Sequence, residues 1–173
     1  MNRIKMSFLF VLLSINLEVF SQTKFELNEL NGKWYVVQSN FPMWLKGKKT
    51  NPTFNYSPLT KKKKAVLLDE VQYTKKSKQK SIVGYDHPVN ENNQSFVWRG
   101  KGILGFLKSK WSILYLDRKQ HWAIIQFRKT LFTPEGVDVI SRSKKLTPQV
   151  EKEVREKLSE LGVKENLTPI QQE

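Results

Sequence analysis

The chain is 173 residues long and carries 30 Lys and Arg against 16 Asp and Glu, a formal charge of +14. It has no cysteine, so disulfides, thiolate nucleophiles, zinc–thiolate sites and a lipid-bearing N-terminal cysteine are excluded; with His87 and His121 as its only histidines, so is a histidine-rich metal site. The length suits one domain, and the positive charge favours anionic partners or surfaces while saying nothing about fold.

Arg3 and Lys5 precede an apolar run from Met6 to Leu17, and Val19 and Ser21 stand at the −3 and −1 positions of a cut before Gln22. This is the layout of a secretory signal over residues 1–21; the run is too short for a membrane span, and an N-terminal anchor helix is the alternative. Its removal leaves roughly 150 residues, a size that buries about 68–70% of its unfolded surface without covalent staples. The expected location is therefore secreted or, given the lysine- and asparagine-rich wording, periplasmic. The triplets Asn55-Tyr-Ser57, Asn93-Gln-Ser95 and Asn166-Leu-Thr168 would matter only in a eukaryotic secretory pathway.

Next come short segments rich in Val, Ile, Tyr, Phe and Trp, divided by lysine-rich or turn-like breaks. The predicted strands are Gly32–Ser39, Thr53–Ser57, Ala65–Thr74, Lys80–Asp86, Gln94–Gly102, Lys110–Leu116, His121–Phe127 and Gly136–Ser141. The breaks between them, such as Lys61–Lys64 and Lys75–Lys78, are too short for the crossover a parallel pair needs, so neighbours should be antiparallel. Thr147–Leu161 predicts a helix. Thr147 is its N-cap, Pro148 takes the first position, Val150, Val154, Leu158 and Leu161 form one apolar stripe, and Gly162 ends it. The polar tail Lys164–Glu173 reads as a loosely held end. The expected fold is all-β: an eight-stranded antiparallel up-and-down β-barrel over residues 22–163, with one C-terminal α-helix packed outside. Closure removes the exposed edges that a long meander would leave.

Catalytic constellations are absent from this pattern. There is no G-x-S-x-G elbow, and nothing in the spacing joins Ser141, Asp138 and His121 into a triad. Acidic neighbours such as Asp69-Glu70 point to opposite faces of a strand and read as surface or turn residues. Gly100-Lys-Gly102-Ile-Leu-Gly105 matches G-x-G-x-x-G. The next strand follows too soon for a crossover helix, so a dinucleotide site is rejected in favour of a bend in a strand. No catalytic residue, metal site or cofactor is assigned.

Phe25-x-Leu27 followed by Gly32-Lys33-Trp34-Tyr35, then Tyr115-Leu116-Asp117 before Trp122–Phe127, then Ile140-Ser141-Arg142 before the helix, stand in order along the chain. These segments resemble the three lipocalin motifs, and the likeness runs from Phe25 to Leu161, closest to the bacterial and apolipoprotein D-like branch of the calycin superfamily. The resemblance implies that Gly32, Trp34 and Arg142 close the barrel floor, the arginine lying across the indole, and that the first, third, fifth and seventh connections form the open mouth.

Aromatic side chains make up 12% of the chain, and alternation sends about half of those in strands inward. Phe54, Tyr56, Tyr73, Tyr85, Trp98, Trp111, Tyr115 and Trp122 are the cavity candidates; the rings either fill the interior or wall one small ligand. Lys46, Lys48, Lys49, Lys76, Lys108 and Lys110 fall at the expected mouth, where they would meet an anionic head group or serve solubility alone. Three functions compete. One is a binding protein for a small hydrophobic or amphipathic ligand, an anionic lipid included. Another is a basic envelope or polyanion-binding barrel with no cavity ligand, its partner an anionic membrane surface or lipopolysaccharide. The third is a calycin-like enzyme, disfavoured by the missing constellations. A monomer is expected, without sequence-specific nucleic acid binding.

Overall fold

A computed structural model describes residues 24–129, 134–164 and 166–173; the expected signal over residues 1–21 lies outside them. A 3-10 turn (Leu27–Leu30) leads into β1 (Gly32–Ser39), a short helix α1 (Pro42–Leu45), β2 (Thr50–Lys61), β3 (Lys64–Lys75), β4 (Lys78–Pro88), β5 (Ser95–Gly100), β6 (Lys108–Asp117), β7 (Trp122–Arg128) and β8 (Gly136–Ser141). The helix α2 (Pro148–Glu160) and a two-residue strand β9 (Thr168–Pro169) complete the chain. Every consecutive strand pair from β2 to β8 is antiparallel. β1 pairs with β8 on one side and β2 on the other, which closes an eight-stranded barrel.

β2, β3 and β4 run longer than the sequence predicts, because the lysines read as breaks continue the ladder. Lys61 pairs with Lys64 and Lys75 with Lys78. Only two residues turn in each hairpin: Lys62 and Lys63 at φ 48° and 62°, Lys76 and Ser77 at 49° and 56°. Two consecutive positive φ values match the twist of the flanking strands, which is why such turns join hairpins.

Two apolar cores flank the sheet. The inner one lies inside the barrel and includes Trp34, Phe54, Tyr56, Phe96, Trp111 and Ile113. The outer one lies under α2, where Val150, Val154 and Leu158 bury against Val37, Trp122, Ile124, Val137 and Val139. Thr147 caps α2 by accepting a hydrogen bond from the Val150 N–H at 3.3 Å, and Gly162 ends it at φ +69°. Leu161, read as the last stripe position, is instead the partly exposed C-cap. β8 is buried on both faces because it lies between the two cores.

The tail is stitched down, unlike the loose end its polarity suggested. Beyond Tyr35, β1 bulges between Val36 and Gln38, and its last residues pair with β9 on the side where β2 lay. Ile170 N–H donates to the Val37 carbonyl at 2.9 Å. The Gln172 amide donates to the Val36 carbonyl at 2.7 Å and the Pro52 carbonyl at 3.1 Å, bridging β1 to β2. Polarity misled the reading because these side chains satisfy backbone groups of the seam instead of water.

Gly100-x-Gly102-x-x-Gly105 is the β5–β6 connection and contains the 3-10 turn Gly102–Leu104. A Cβ on Gly100 would sit 2.2 Å from the Leu104 carbonyl oxygen, so the loop folds tightly onto the strand end. It is a loop at the mouth, not a bend within a strand.

A closed floor and a candidate ligand cavity

The floor joins Gly32 and Trp34 at the start of β1 to Arg142, far along the chain. Trp34 is 1% exposed, and its indole N–H donates to the Leu30 carbonyl at 2.8 Å. The Arg142 guanidinium carbon lies 3.8 Å from the Trp34 ring centroid. Its nitrogens donate to the carbonyls of Lys33, Asn31 and Glu29 at 2.9, 2.6 and 3.2 Å. Gly32, at φ +96°, leaves room for this: a Cβ there would stand 3.1 Å from an Arg142 nitrogen. An ion pair between Arg118 and Glu29 holds the 3-10 turn beneath, and burial lowers the pKa of Arg142.

The other half of the barrel is hollow. A cavity of about 390 Å³ is walled by Phe54, Tyr56, Val71, Ile82, Trp98 and Trp111. Phe41, Met43, Lys46, Leu107 and Pro134, from the first, fifth and seventh connections, and Lys108, the first residue of β6, border it toward the mouth. A larger groove of about 690 Å³ lies outside the barrel, between the end of α2 and the tail.

Of the cavity candidates, Phe54, Tyr56, Trp98 and Trp111 line this space. Tyr73 packs against the inner core beside Trp44, 6.4 Å between centroids, with Lys49 Nζ 4.5 Å from its ring. Tyr85, Tyr115 and Trp122 belong outside, which corrects the expectation. Tyr85 alternates with the buried Gly84 and Asp86 and carries Lys61 Nζ 3.5 Å from its centroid. Tyr115 and Trp122 pack with tilted rings, 5.0 Å between centroids, in the core under α2. A bulge between Ile113 and Tyr115 reverses the inward phase of β6, so Tyr115 leaves the barrel and Leu116 enters it.

Among the six lysines, only Lys46 and Lys108 border the cavity. Lys49 lies over Tyr73 and, at 6.0 Å, over Trp44; burial and then the nearby Lys75 lower its pKa. Lys48 is exposed in the first connection and Lys76 in the β3–β4 turn, while alternation with the inward Trp111 puts Lys110 on the outer face of β6.

Sequence reasoning missed three acids. Asp69, Asp86 and Asp138 are buried, at 4%, 0% and 0% exposure, and Asp69 is not the surface or turn residue expected. Asp138 is fully engaged: Ser39 Oγ donates to Oδ1 at 2.5 Å and the Trp44 indole to Oδ2 at 3.0 Å, while Ser39 also accepts from the Phe41 N–H at 2.8 Å. This triad pins α1 at the mouth. Burial pushes the Asp138 carboxyl up to about 7 against those two hydrogen bonds. Asp86 Oδ1 accepts from the Trp111 indole at 2.7 Å, and burial likewise raises it to about 7. Asp69 is raised well above the ordinary carboxylate value by burial, then by Asp86 and Glu70. Burial, then Asp69, Asp86 and Asp138, raise the Tyr56 phenol. The signal that could have found Asp69 is its phase, in step with the inward Leu67 and Val71. Among the described residues, no cluster of three or more His, Cys, Asp or Glu could hold a metal ion.

No sequence-family model matches the chain, and no curated protein matches it in sequence. Solved structures do match. Insecticyanin from the tobacco hornworm Manduca sexta aligns with TM-score 0.66 at 13% identity, over 87% of this chain and 82% of that one. Lobster apocrustacyanin A1 aligns with TM-score 0.61 at 16% identity, over 84% and 79%. The siderocalin Ex-FABP, described as functioning through dual ligand specificities, aligns with TM-score 0.56 at 18% identity, over 78% and 87%. The fold is the lipocalin fold; these likenesses do not single out its bacterial branch.

Proposed function

We propose that this chain is a secreted or periplasmic binding protein, not an enzyme, that holds a small hydrophobic or amphipathic molecule inside its barrel as a monomer. One observation carries the reading: the interior is packed solid at the floor, yet leaves about 390 Å³ walled by aromatic rings toward the mouth. Cavities of ~300–1,000 Å³ with apolar walls and a few convergent polar groups are the usual form of small-molecule sites. Each buried CH₂ of a guest contributes about 0.8 kcal/mol. An anionic head group is supported by Lys46 and Lys108 alone. Exposed charge pairs contribute ~0–1 kcal/mol each, so in this reading the rim sets capture rate and the cavity sets affinity.

The uncharged probe N-phenyl-1-naphthylamine tests the cavity. Its fluorescence should rise on binding, and Ile82→Trp, which fills the wall, should abolish that rise while thermal unfolding stays cooperative. An unchanged rise in the folded variant would move the binding site elsewhere.

A second reading rests on Ile103 and Phe106, 91% and 68% exposed in the β5–β6 loop beside the mouth. Exposed apolar side chains between Lys101 and Lys108 suit contact with an anionic membrane surface, from which a ligand could enter. Ile103→Ser with Phe106→Ser should reduce co-sedimentation with anionic vesicles and leave probe binding intact. Undiminished co-sedimentation would reject the loop as the contact.

A further inference from the structure

The cavity wall contains a polar sector whose hydrogen-bonding capacity the protein leaves unused. Asp69 Oδ1, Asp86 Oδ2, Trp98 Nε1 and Ser109 Oγ are buried without a partner. The strand register gathers all four. Tyr56 faces Asp69 across β2 and β3, Asp69 faces Gly84 across β3 and β4, Asp86 faces Trp98 across β4 and β5, and Trp98 faces Ser109 across β5 and β6. Gly84 permits the arrangement, since a Cβ there would lie 2.3 Å from the Trp98 ring and 2.5 Å from its indole nitrogen. Trp98 therefore lies across β4, over the residue that faces Asp69. Asp69, Trp98 and Ser109 all line the cavity. Asp138 is the internal contrast, buried just as deeply with both oxygens accepting hydrogen bonds. A buried polar atom without a partner is costly and rare in folded proteins, so four in one sector mark a place for a guest.

We infer that this sector receives a protonated amine carried by an otherwise apolar ligand, its N–H groups donating to Asp69 and Ser109 at the cavity wall, with the buried Asp86 facing Trp98 beside them. This deepens the binding function proposed above and rests on it. An ammonium brings three donors and no acceptor, which suits the open Asp69 oxygen and the Ser109 hydroxyl at the cavity wall. The chemistry is opposite to that of the rim: Lys46 and Lys108 favour an anion at the mouth, while the depth favours a cation.

The pH dependence follows. The ionisable groups facing the sector are Tyr56 from β2, Asp69 from β3 and Asp86 from β4, with Lys108 on β6 and Lys46 after α1 at the opening; Glu70 on the outer face of β3 also acts on Asp69. Burial raises both carboxyls, Asp86 to about 7, so an amine must displace a proton to bind, and its affinity rises as pH rises through that value.

Octylamine, octanol and octanoate share one tail and differ in head group. Titrating the folded chain with each by calorimetry should show octylamine binding about tenfold or more tighter than octanol at pH 8, a difference of the size one buried charge-assisted contact produces. Asp69→Asn and Asp86→Asn, each checked for cooperative unfolding, should erase most of that advantage and leave octanol unchanged. Equal affinity for amine and alcohol in the native chain overturns the amine sector while the apolar cavity stands. Octanoate binding tightest, insensitive to Asp69→Asn, overturns it in favour of the rim. No binding of any of the three overturns both this sector and the cavity function beneath it.

Discussion

The floor and the cavity wall of the barrel handle buried polarity in opposite ways. At the floor, Arg142 reaches three carbonyls and an indole face, and the Trp34 N–H has its acceptor. Toward the mouth, the same barrel keeps a cavity whose wall holds open carboxyl, indole and hydroxyl groups. A satisfied polar group stabilises the fold, whereas an open one beside empty space costs stability and awaits a partner. The difference separates the part of the interior that holds the barrel together from the part that can take a guest.

The largest effect should come from the floor. Trp34→Ala removes a buried ring together with the platform for Arg142, and should destabilise by about 3–5 kcal/mol in denaturant titrations. Trp98→Ala, at the cavity wall, should cost clearly less because the space beside it is already empty. Equal losses at the two positions would break the comparison.

The buried acids give a second, pH-dependent contrast. Asp86 and Asp138 are raised in the folded state to about 7, while an unfolded chain releases the same protons near pH ~4. Between these values the native state holds more protons than the unfolded one, so stability falls as pH rises through the window and levels off above it. The contribution of each is on the order of a few kcal/mol across that range. Melting temperatures between pH 4 and pH 8 should show the decline. Asp86→Asn should flatten it and gain stability at pH 8. Asp138→Asn should instead lose about 1–3 kcal/mol at pH 5, because an amide oxygen cannot replace both acceptors. Identical behaviour of the two variants would deny that one acid is structural and the other open.

The smallest effect concerns the seam. Deleting residues 168–173 removes the Gln172 bridge between β1 and β2, and should cost about 1–2 kcal/mol, since each partly exposed hydrogen bond contributes ~0.5–1.5 kcal/mol. Amide exchange should speed up near Val36–Ser39 and stay slow at Gly32–Tyr35, where β2 is the partner. Uniform exchange along β1 would mean that the tail only decorates the surface.

How much of this was legible in the sequence follows from which residues carry local signals. The alternation of β1, the two hairpin turns, and the Thr147–Gly162 frame of α2 depend on near neighbours, and the sequence displays them. The floor was legible only by likeness, since no local rule brings Arg142 onto Trp34. Inward phase was the weak point. Alternation shows that half of a strand faces in without saying which half, so Tyr85 was taken for a wall residue and Asp86 beside it was overlooked. The β6 bulge that turns Tyr115 outward leaves no sequence mark. The buried acids hid for the converse reason: an aspartate in a strand reads as solvent-facing until its partners across the sheet are known. The mouth lysines were grouped by connection, but the length of α1 and the β5–β6 loop decides that Lys46 and Lys108 border the cavity while Lys48, Lys76 and Lys110 do not.

The central claim is that the hollow half of the barrel holds a guest. Native mass spectrometry of the protein purified from its own source tests it most directly. The account predicts a reproducible mass increment from one small apolar or amphipathic molecule, released on denaturation and lost in Ile82→Trp. A bare mass in repeated preparations, from protein that also ignores N-phenyl-1-naphthylamine, would contradict it.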